Sequence, residues 1–170
     1  RDHWSDVLDF NTNCEEVTVT MEQPWLEDFD SIQGGHGTPV PLSVSWSALV
    51  SPNNYSTPYV LTGWAPTAHS GENSVMMTGD ASAVNMMLLP TFSNSLNTLR
   101  LGFYANTTSA TVAGAGLFEV GYVTDPSDPE SFVALESVTP RDSSLGRANS
   151  VYYGPFDFFE VPNDAARIAI

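Results

Sequence analysis

The sequence contains no lysine, and its five arginines oppose 20 aspartate and glutamate residues, which gives a formal net charge of -15. Without lysine, the chain has neither the P-loop amine that holds phosphates nor the amine that Schiff-base chemistry requires. The arginines are scattered along the chain, whereas binding to a nucleic-acid backbone needs clustered basic residues. We therefore expect no nucleic-acid partner and no phosphate chemistry.

Cysteines and long apolar runs are also scarce. The single cysteine, Cys14, excludes a zinc ribbon, a CxxC redox motif and an intrachain disulfide. Since no run of 18 apolar residues occurs, we expect no membrane insertion. The three histidines match no zinc motif, and no G-x-S-x-G nucleophile elbow is present. These absences predict no catalytic residue, and we expect a protein that is not an enzyme.

The chain is instead rich in turn residues, with 12 Gly and 12 Pro, between short runs in which apolar and polar residues alternate. An alternation with a period of two predicts β-strands. In residues 98–105 it places Leu99, Leu101 and Phe103 on one face. The same pattern predicts strands over residues 74–78, 84–89, 116–124, 131–138 and 167–170, the fourth with strictly alternating faces. Short strands between turn signals predict an all-β fold, an antiparallel β-sandwich of the jelly-roll type.

A domain boundary is expected near residue 20. Residues 4–12 and 17–20 have strand-like patterns, and the Glu-Gln-Pro-Trp sequence at 22–25 interrupts them. Since so short a piece cannot bury a core, residues 1–20 are either the end of a preceding domain or an edge strand of this one. Residues 21–170 then form one domain, and we expect the chain to be a segment of a longer polypeptide with neighbouring domains.

Several phrases of the sequence resemble known families. The phrase W-S-D-V-L-D-F-N-T-N-C at residues 4–14 resembles the last strand of fibronectin type III domains in large secreted proteins of Bacteroidetes, where the closing cysteine often pairs with one upstream. The phrase P-W-L-E-D-F-D at residues 24–30 is similar to the opening strand of MAM-like and choice-of-anchor J jelly rolls, which are relatives of the cleaved-adhesin domains of secreted proteases. Three later phrases, within residues 68–75, 88–103 and 118–126, follow in the family's order.

This resemblance covers roughly residues 24–170 and implies a concanavalin-like or galactose-binding-like jelly roll. It also implies an extracellular, cell-surface or secreted location, a non-catalytic role in adhesion or carbohydrate binding, and in many members a structural calcium ion. Family members usually end with a strand that carries consecutive aspartates, and no such strand occurs before Ile170. We therefore expect the final strand to be missing, which leaves the metal site an open question.

The candidate calcium ligands are Glu27, Asp28 and Asp30 on the predicted opening strand, together with Asn73 if its turn folds over that strand. Calcium takes six to eight oxygen ligands, which carboxylates beside carbonyl-rich loops supply. The alternative is a solvated acidic edge that prevents strand-to-strand aggregation. Residues 125–130 hold three further carboxylates, and these indicate either a hairpin turn or a functional site, namely an acid pair or a second cation site.

Aromatic residues are concentrated in the first half of the chain, as Trp25, Trp46, Tyr55, Tyr59 and Trp64. Exposed aromatic rings stack on the CH groups of sugars, whereas tryptophans at the ends of a sandwich usually belong to the core. The sequence leaves both alternatives open. We predict Tyr59, Trp64 and Trp46 as ligand-binding residues, for a glycan or a protein of a host or cell surface.

Three functions are consistent with these residues. The first is a non-catalytic adhesion or carbohydrate-binding module of a larger secreted or surface-anchored bacterial protein. The second is a sandwich-fold glycoside hydrolase or lyase, for which Glu119 and Glu136 are the only acids predicted at strand centres. The third is a spacer domain with a purely structural role.

Overall fold

The computed structural model describes residues 16–50, 57–65, 67–77, 85–106, 117–139, 150–162 and 165–170. Within these ranges the chain forms ten β-strands and two short 3-10 helices, with no α-helix. The strands are β1 (Thr38–Pro41), β2 (Ser47–Val50), β3 (Tyr59–Thr62), β4 (Ser74–Met76), β5 (Asn85–Leu88), β6 (Arg100–Ala105), β7 (Phe118–Val123), β8 (Phe132–Val138), β9 (Val151–Asp157) and β10 (Arg167–Ala169). The predicted all-β class is confirmed.

The strands pair in three antiparallel sheets. One has the order β1-β3-β4, the second β2-β5-β10-β7-β8, and the third contains only β6 and β9. In the five-stranded sheet β10 lies between β5 and β7, so the last strand of the chain is central. No helix among the described residues is long and apolar enough to cross a membrane.

The core lies between the five-stranded sheet and the β6–β9 pair. Successive residues of a strand point to opposite faces, so Met87 joins the main core cluster while Met86 and Leu88 join a second one. Leu99 and Phe156 belong to the other layer and lie in the same main cluster as Met87. Two layers that pack on the main cluster form the predicted antiparallel β-sandwich, and the second cluster lies on the other face of the five-stranded sheet.

The side chain of Arg167 fixes the position of β10. Its Nε donates a hydrogen bond to the Leu89 carbonyl oxygen at 2.6 Å, and its Nη1 donates one to Ser47 Oγ at 2.5 Å. Its Nη2 donates to the carbonyl oxygens of Ser45 at 2.9 Å and Leu88 at 3.1 Å. One guanidinium therefore links three parts of the sheet, because its planar fork presents several donors in fixed directions.

One strand prediction needs correction. β8 confirms the strand predicted over residues 131–138, and its residues 133–137 are all exposed. The strict alternation is wrong, because Val120 pairs with Glu136 and Gly121 with Ala134, which leaves Leu135 as an extra residue and puts Ala134 and Glu136 on opposite faces. The strand lies at the edge of its sheet, and a register shift opposite Val120 and Gly121 interrupts the alternation. Strands β1, β2, β3 and β9 carry no prediction from the sequence; β1 holds Pro39 and Pro41, which a strand tolerates at a sheet edge.

The segment near the predicted domain boundary touches the sandwich. Val17 forms an isolated parallel bridge with Phe92, and the backbone of Val19 exchanges hydrogen bonds with the Asn94 side chain. The phrase at residues 4–14 lies outside the described residues, so the boundary near residue 20 and the fibronectin-like segment stay predictions.

Candidate functional site

Residues 24–30 form no strand, so the predicted opening strand is wrong. The side chains of Glu27 and Asp28 accept hydrogen bonds from the backbone N–H groups of Phe29 at 2.8 Å and Asp30 at 3.0 Å. Phe29 has a φ of 61°, in the left-handed region that few non-glycine residues adopt. Because these local bonds replace a strand ladder, the segment turns at Phe29. The Phe29 ring still packs inward, 5.2 Å from the Trp46 ring centroid.

Asp30 and Asn73 tie this segment to the turn before β4. Asp30 Oδ1 accepts hydrogen bonds from the backbone N–H groups of Glu72 at 3.1 Å and Asn73 at 3.2 Å. Gly71, with a φ of 55°, permits this contact, since a Cβ there would collide with the Asp30 carboxylate. Two of the four predicted calcium ligands therefore meet at one turn.

The amide of Asn73, which is 9% exposed, is used within the protein. Its Nδ2 donates to the carbonyl oxygens of Phe29 at 2.8 Å and Ile32 at 3.0 Å, and its Oδ1 accepts from the Gly63 N–H at 2.9 Å. All the polar groups of this amide thus have backbone partners. Asn73 holds three separate backbone segments together.

The four predicted calcium ligands do not form one cluster. A cleft of about 280 Å³ is lined by Asp30, Gln33, Glu72 and Asn73, and Glu27 and Asp28 are not among its lining residues. Among the described residues, no group of three Asp, Glu, His or Cys side chains lies close enough to hold a metal ion. The fit to calcium is therefore partial: Asp30, Glu72 and Gln33 line the cleft and carry side-chain oxygen atoms, but Oδ1 of Asp30 and the Asn73 amide already have backbone partners.

The predicted aromatic ligand residues occupy different environments. Trp46 is a core residue with 7% exposure, 5.7 Å from the Trp25 ring centroid, and its Nε1 has no hydrogen-bond partner among the described residues. Tyr59 is half-buried and lines, with Trp46, a cleft of about 460 Å³. Trp64 is 37% exposed, and its ring centroid lies 5.1 Å from that of the His36 ring. Tyr55 lies outside the described residues.

An exposed aromatic cluster that the sequence does not predict lies on the outer face of the β6–β9 sheet. Tyr104 and Tyr152 are direct partners across the two strands, 51% and 49% exposed, with ring centroids 5.4 Å apart and planes at 64°. The exposed His69 stacks on Tyr104 at 3.5 Å with planes 5° apart. We call His69, Tyr104 and Tyr152 the aromatic ledge.

The position of Tyr152 depends on Gly102. A Cβ at residue 102 would approach Cζ of Tyr152 to 2.7 Å, so the ring lies across the strand where no side chain stands. The alternation in residues 98–105 does predict Tyr104 on the outer face, because Leu99, Leu101 and Phe103 point inward. It does not reveal Tyr152 or His69, which join the ledge only through pairing between distant segments.

The acidic stretch at residues 125–130 is a turn, which confirms the hairpin interpretation. It joins β7 to β8, and Asp128 accepts a hydrogen bond from the Glu130 N–H at 2.9 Å. Asp125 Oδ1 accepts hydrogen bonds from Ser127 Oγ at 2.6 Å and from the Ser127 N–H at 2.8 Å. These bonds stabilise the carboxylate and lower the pKa of Asp125.

The two acids considered for an enzyme lie on opposite faces of the β7–β8 pair. Glu119 is paired with Ser137 and accepts a hydrogen bond from its Oγ at 3.0 Å, while Glu136 is paired with Val120. Residues paired across two strands share a face, so neighbouring Glu119 and Val120 place the two carboxylates on opposite faces. A pair of acids acting on one glycosidic bond must face each other across it.

Comparison with known proteins identifies a shared fold. The K2 cleaved adhesin domain of Lys-gingipain superposes on this chain with a TM-score of 0.56 at 14% sequence identity, over 84% of each chain. No protein-family model matches the sequence, and no curated protein matches it. At this identity the similarity shows the fold alone. It confirms the adhesin-like sandwich, while the MAM-like and fibronectin type III assignments remain predictions.

Proposed function

We propose that the chain is a non-catalytic adhesion module of a larger secreted or surface-anchored bacterial protein, and that it binds carbohydrate. The observation that carries this proposal is the fold shared with a cleaved adhesin domain over 84% of the chain. The proposal includes the MAM-like domain over residues 21–170 and the fibronectin type III-like segment before it.

The surface chemistry supports binding rather than catalysis. The carboxylates of Glu119 and Glu136 lie on opposite faces, which disfavours the glycoside hydrolase or lyase. Exposed aromatic rings beside polar groups suit sugars, whose CH groups stack on a ring while their hydroxyls form hydrogen bonds. The proposal includes the sugar contacts that the sequence predicts. Tyr59 and Trp46 line one cleft, and Trp64 is a separate exposed ring.

We also propose a structural calcium ion at the cleft beside Asp30. Calcium prefers hard oxygen ligands, and the carboxylates of Asp30 and Glu72 with the Gln33 amide oxygen would supply them. The ion would neutralise two carboxylates of a chain with a net charge of -15 and hold the segment after residue 26 against the turn before β4. Glu27 and Asp28 do not line this cleft and would contribute only if their segment moved toward it.

A binding screen of the whole chain tests the proposed function. The chain is applied to immobilised neutral and acidic glycans, and in parallel to immobilised extracellular-matrix proteins. Saturable binding to a class of glycans is the expected result. Binding to proteins alone would contradict the carbohydrate specificity, and no binding to either set would favour the spacer.

A further inference from the structure

We infer that the aromatic ledge is a binding site for neutral glycans whose pyranose rings present a flat apolar face. This inference rests on the proposed function and adds the place and the class of ligand. It is carried by the exposure and the mutual arrangement of His69, Tyr104 and Tyr152 on the outer face of the β6–β9 sheet.

The ledge offers two differently oriented aromatic surfaces. The Tyr152 ring lies across the strand at Gly102, so one side faces the backbone and half of the residue stays exposed. The Tyr104 plane meets the Tyr152 plane at 64°, and His69 backs Tyr104 in a parallel stack. A pyranose fits such a corner, because its CH face stacks on one ring while its edge meets the other.

The two strands hold these rings in place before any ligand binds. Tyr104 and Tyr152 are cross-strand partners within a sheet whose inner face packs in the core through Leu101, Phe103 and Phe156. Rings on paired strands lose little freedom on binding, and preorganised aromatic residues give much of the affinity of ligand sites. The arrangement is therefore suited to a weak, repeated contact with a sugar chain.

Electrostatics select the class of glycan. The chain carries a net charge of -15, which repels sialylated, sulfated or uronic-acid chains at long range. The nearest cation on the same strand, Arg100, is paired with Asp157 at 2.6 Å, and both side chains are exposed. This ion pair leaves Arg100 without a net positive charge to offer an acidic sugar. Gluco- and galacto-configured sugars are the expected ligands.

Substitutions at Tyr152 test the inference with a matched pair. We expect Tyr152→Leu to weaken binding of the whole chain to cellobiose or lactose about tenfold, because it removes the aromatic face but keeps apolar volume. Tyr152→Phe keeps the ring, and its affinity is expected to stay within about twofold of the unmodified chain. Leu135→Ala, which trims an exposed apolar side chain on the other sheet, is the control for nonspecific effects. Isothermal titration and a plate of immobilised oligosaccharides measure the affinities.

A second variant moves the ring without removing it. We expect Gly102→Ala to keep the fold, because the added methyl group meets only the outer part of the Tyr152 ring, and to push that ring away from the strand. Binding is expected to fall as with Tyr152→Leu, while the thermal midpoint stays near that of the unmodified chain.

The outcomes separate this inference from the proposed function. If the unmodified chain binds neutral glycans and the Tyr152→Leu and Gly102→Ala variants bind equally well, the ledge is not the site, although the chain is still a glycan-binding module. If the unmodified chain binds no neutral glycan but binds acidic glycans, the ligand class is wrong. If it binds only proteins, both the inference and the carbohydrate specificity fail.

Discussion

Replacement of Asn73 by alanine is expected to destabilise the fold strongly, whether or not calcium is present. The substitution removes three side-chain hydrogen bonds, to the carbonyl oxygens of Phe29 and Ile32 and from the N–H of Gly63. At about 1 kcal/mol for each bond, and with buried backbone groups left unpaired, the free energy of unfolding falls by about 3 kcal/mol. For a domain of this size the thermal midpoint then falls by about 6–12 °C.

The isosteric variant Asn73→Asp separates a structural role from a metal-binding role. A carboxylate at this position would face two carbonyl oxygens, so we expect it to destabilise the fold at least as much as alanine does. Thermal unfolding is followed by circular dichroism in excess calcium and in excess chelator. A thermal midpoint for Asn73→Ala that differs from that of the unmodified chain by less than about 2 °C would refute the reasoning, because so small a shift is close to the precision of such melts. Rescue of Asn73→Asp by calcium would assign Asn73 to the metal instead.

Three further predictions concern the rest of the sandwich. Arg167→Met removes four hydrogen bonds that hold β10, so the free energy of unfolding, measured by urea denaturation, is expected to fall by about 3 kcal/mol. A loss under about 1 kcal/mol would show that β10 is held by packing alone. Calcium at a hundredfold excess over its Kd is expected to raise the thermal midpoint by about 5 °C or more relative to chelator, and Asp30→Asn is expected to abolish this shift. Equal midpoints of the unmodified chain in calcium and in chelator would show that no structural calcium ion binds. Ser127→Ala removes the hydroxyl that hydrogen-bonds Asp125, so the lowered pKa of Asp125 rises toward its usual value in a carboxyl NMR titration. Since that pKa is depressed in the folded chain, the turn's contribution to stability is present above the unfolded pKa of Asp125 and is lost as the pH falls through the folded value. An unchanged Asp125 titration in Ser127→Ala would contradict the hydrogen bond from Ser127 as the cause of the lowered pKa.

The fold class could be predicted from the sequence because strand faces obey a local rule. In residues 98–105 the inward side chains of Leu101 and Phe103 and the outward Tyr104 follow directly from the period of two. Strands with prolines escape this rule: β1 contains Pro39 and Pro41, and β9 contains Pro155. Such strands become recognisable only when their partners are known.

The sites could be predicted only in part, because both depend on contacts between distant segments. The predicted opening strand fails at Phe29, whose backbone conformation is held by Asn73 from another turn. The expectation that the turn at Asn73 folds over the segment of Asp30 agrees with the hydrogen bond from the Asn73 N–H to the Asp30 carboxylate. Tyr104 and Tyr152 are 48 positions apart in the sequence, and no local pattern connects them. Long-range pairing supplies what the sequence pattern does not contain.

The most direct test is to map the ligand contact on the whole chain by NMR. The backbone amide resonances of the ¹⁵N-labelled chain are followed while a neutral oligosaccharide such as cellobiose is added. We expect the shifts to concentrate at Gly102, Tyr104, Tyr152 and the neighbouring His69, and to require about tenfold more ligand in Tyr152→Leu. Shifts concentrated around Tyr59 instead, or no shifts at any concentration, would contradict the assignment of the aromatic ledge as the sugar-binding surface.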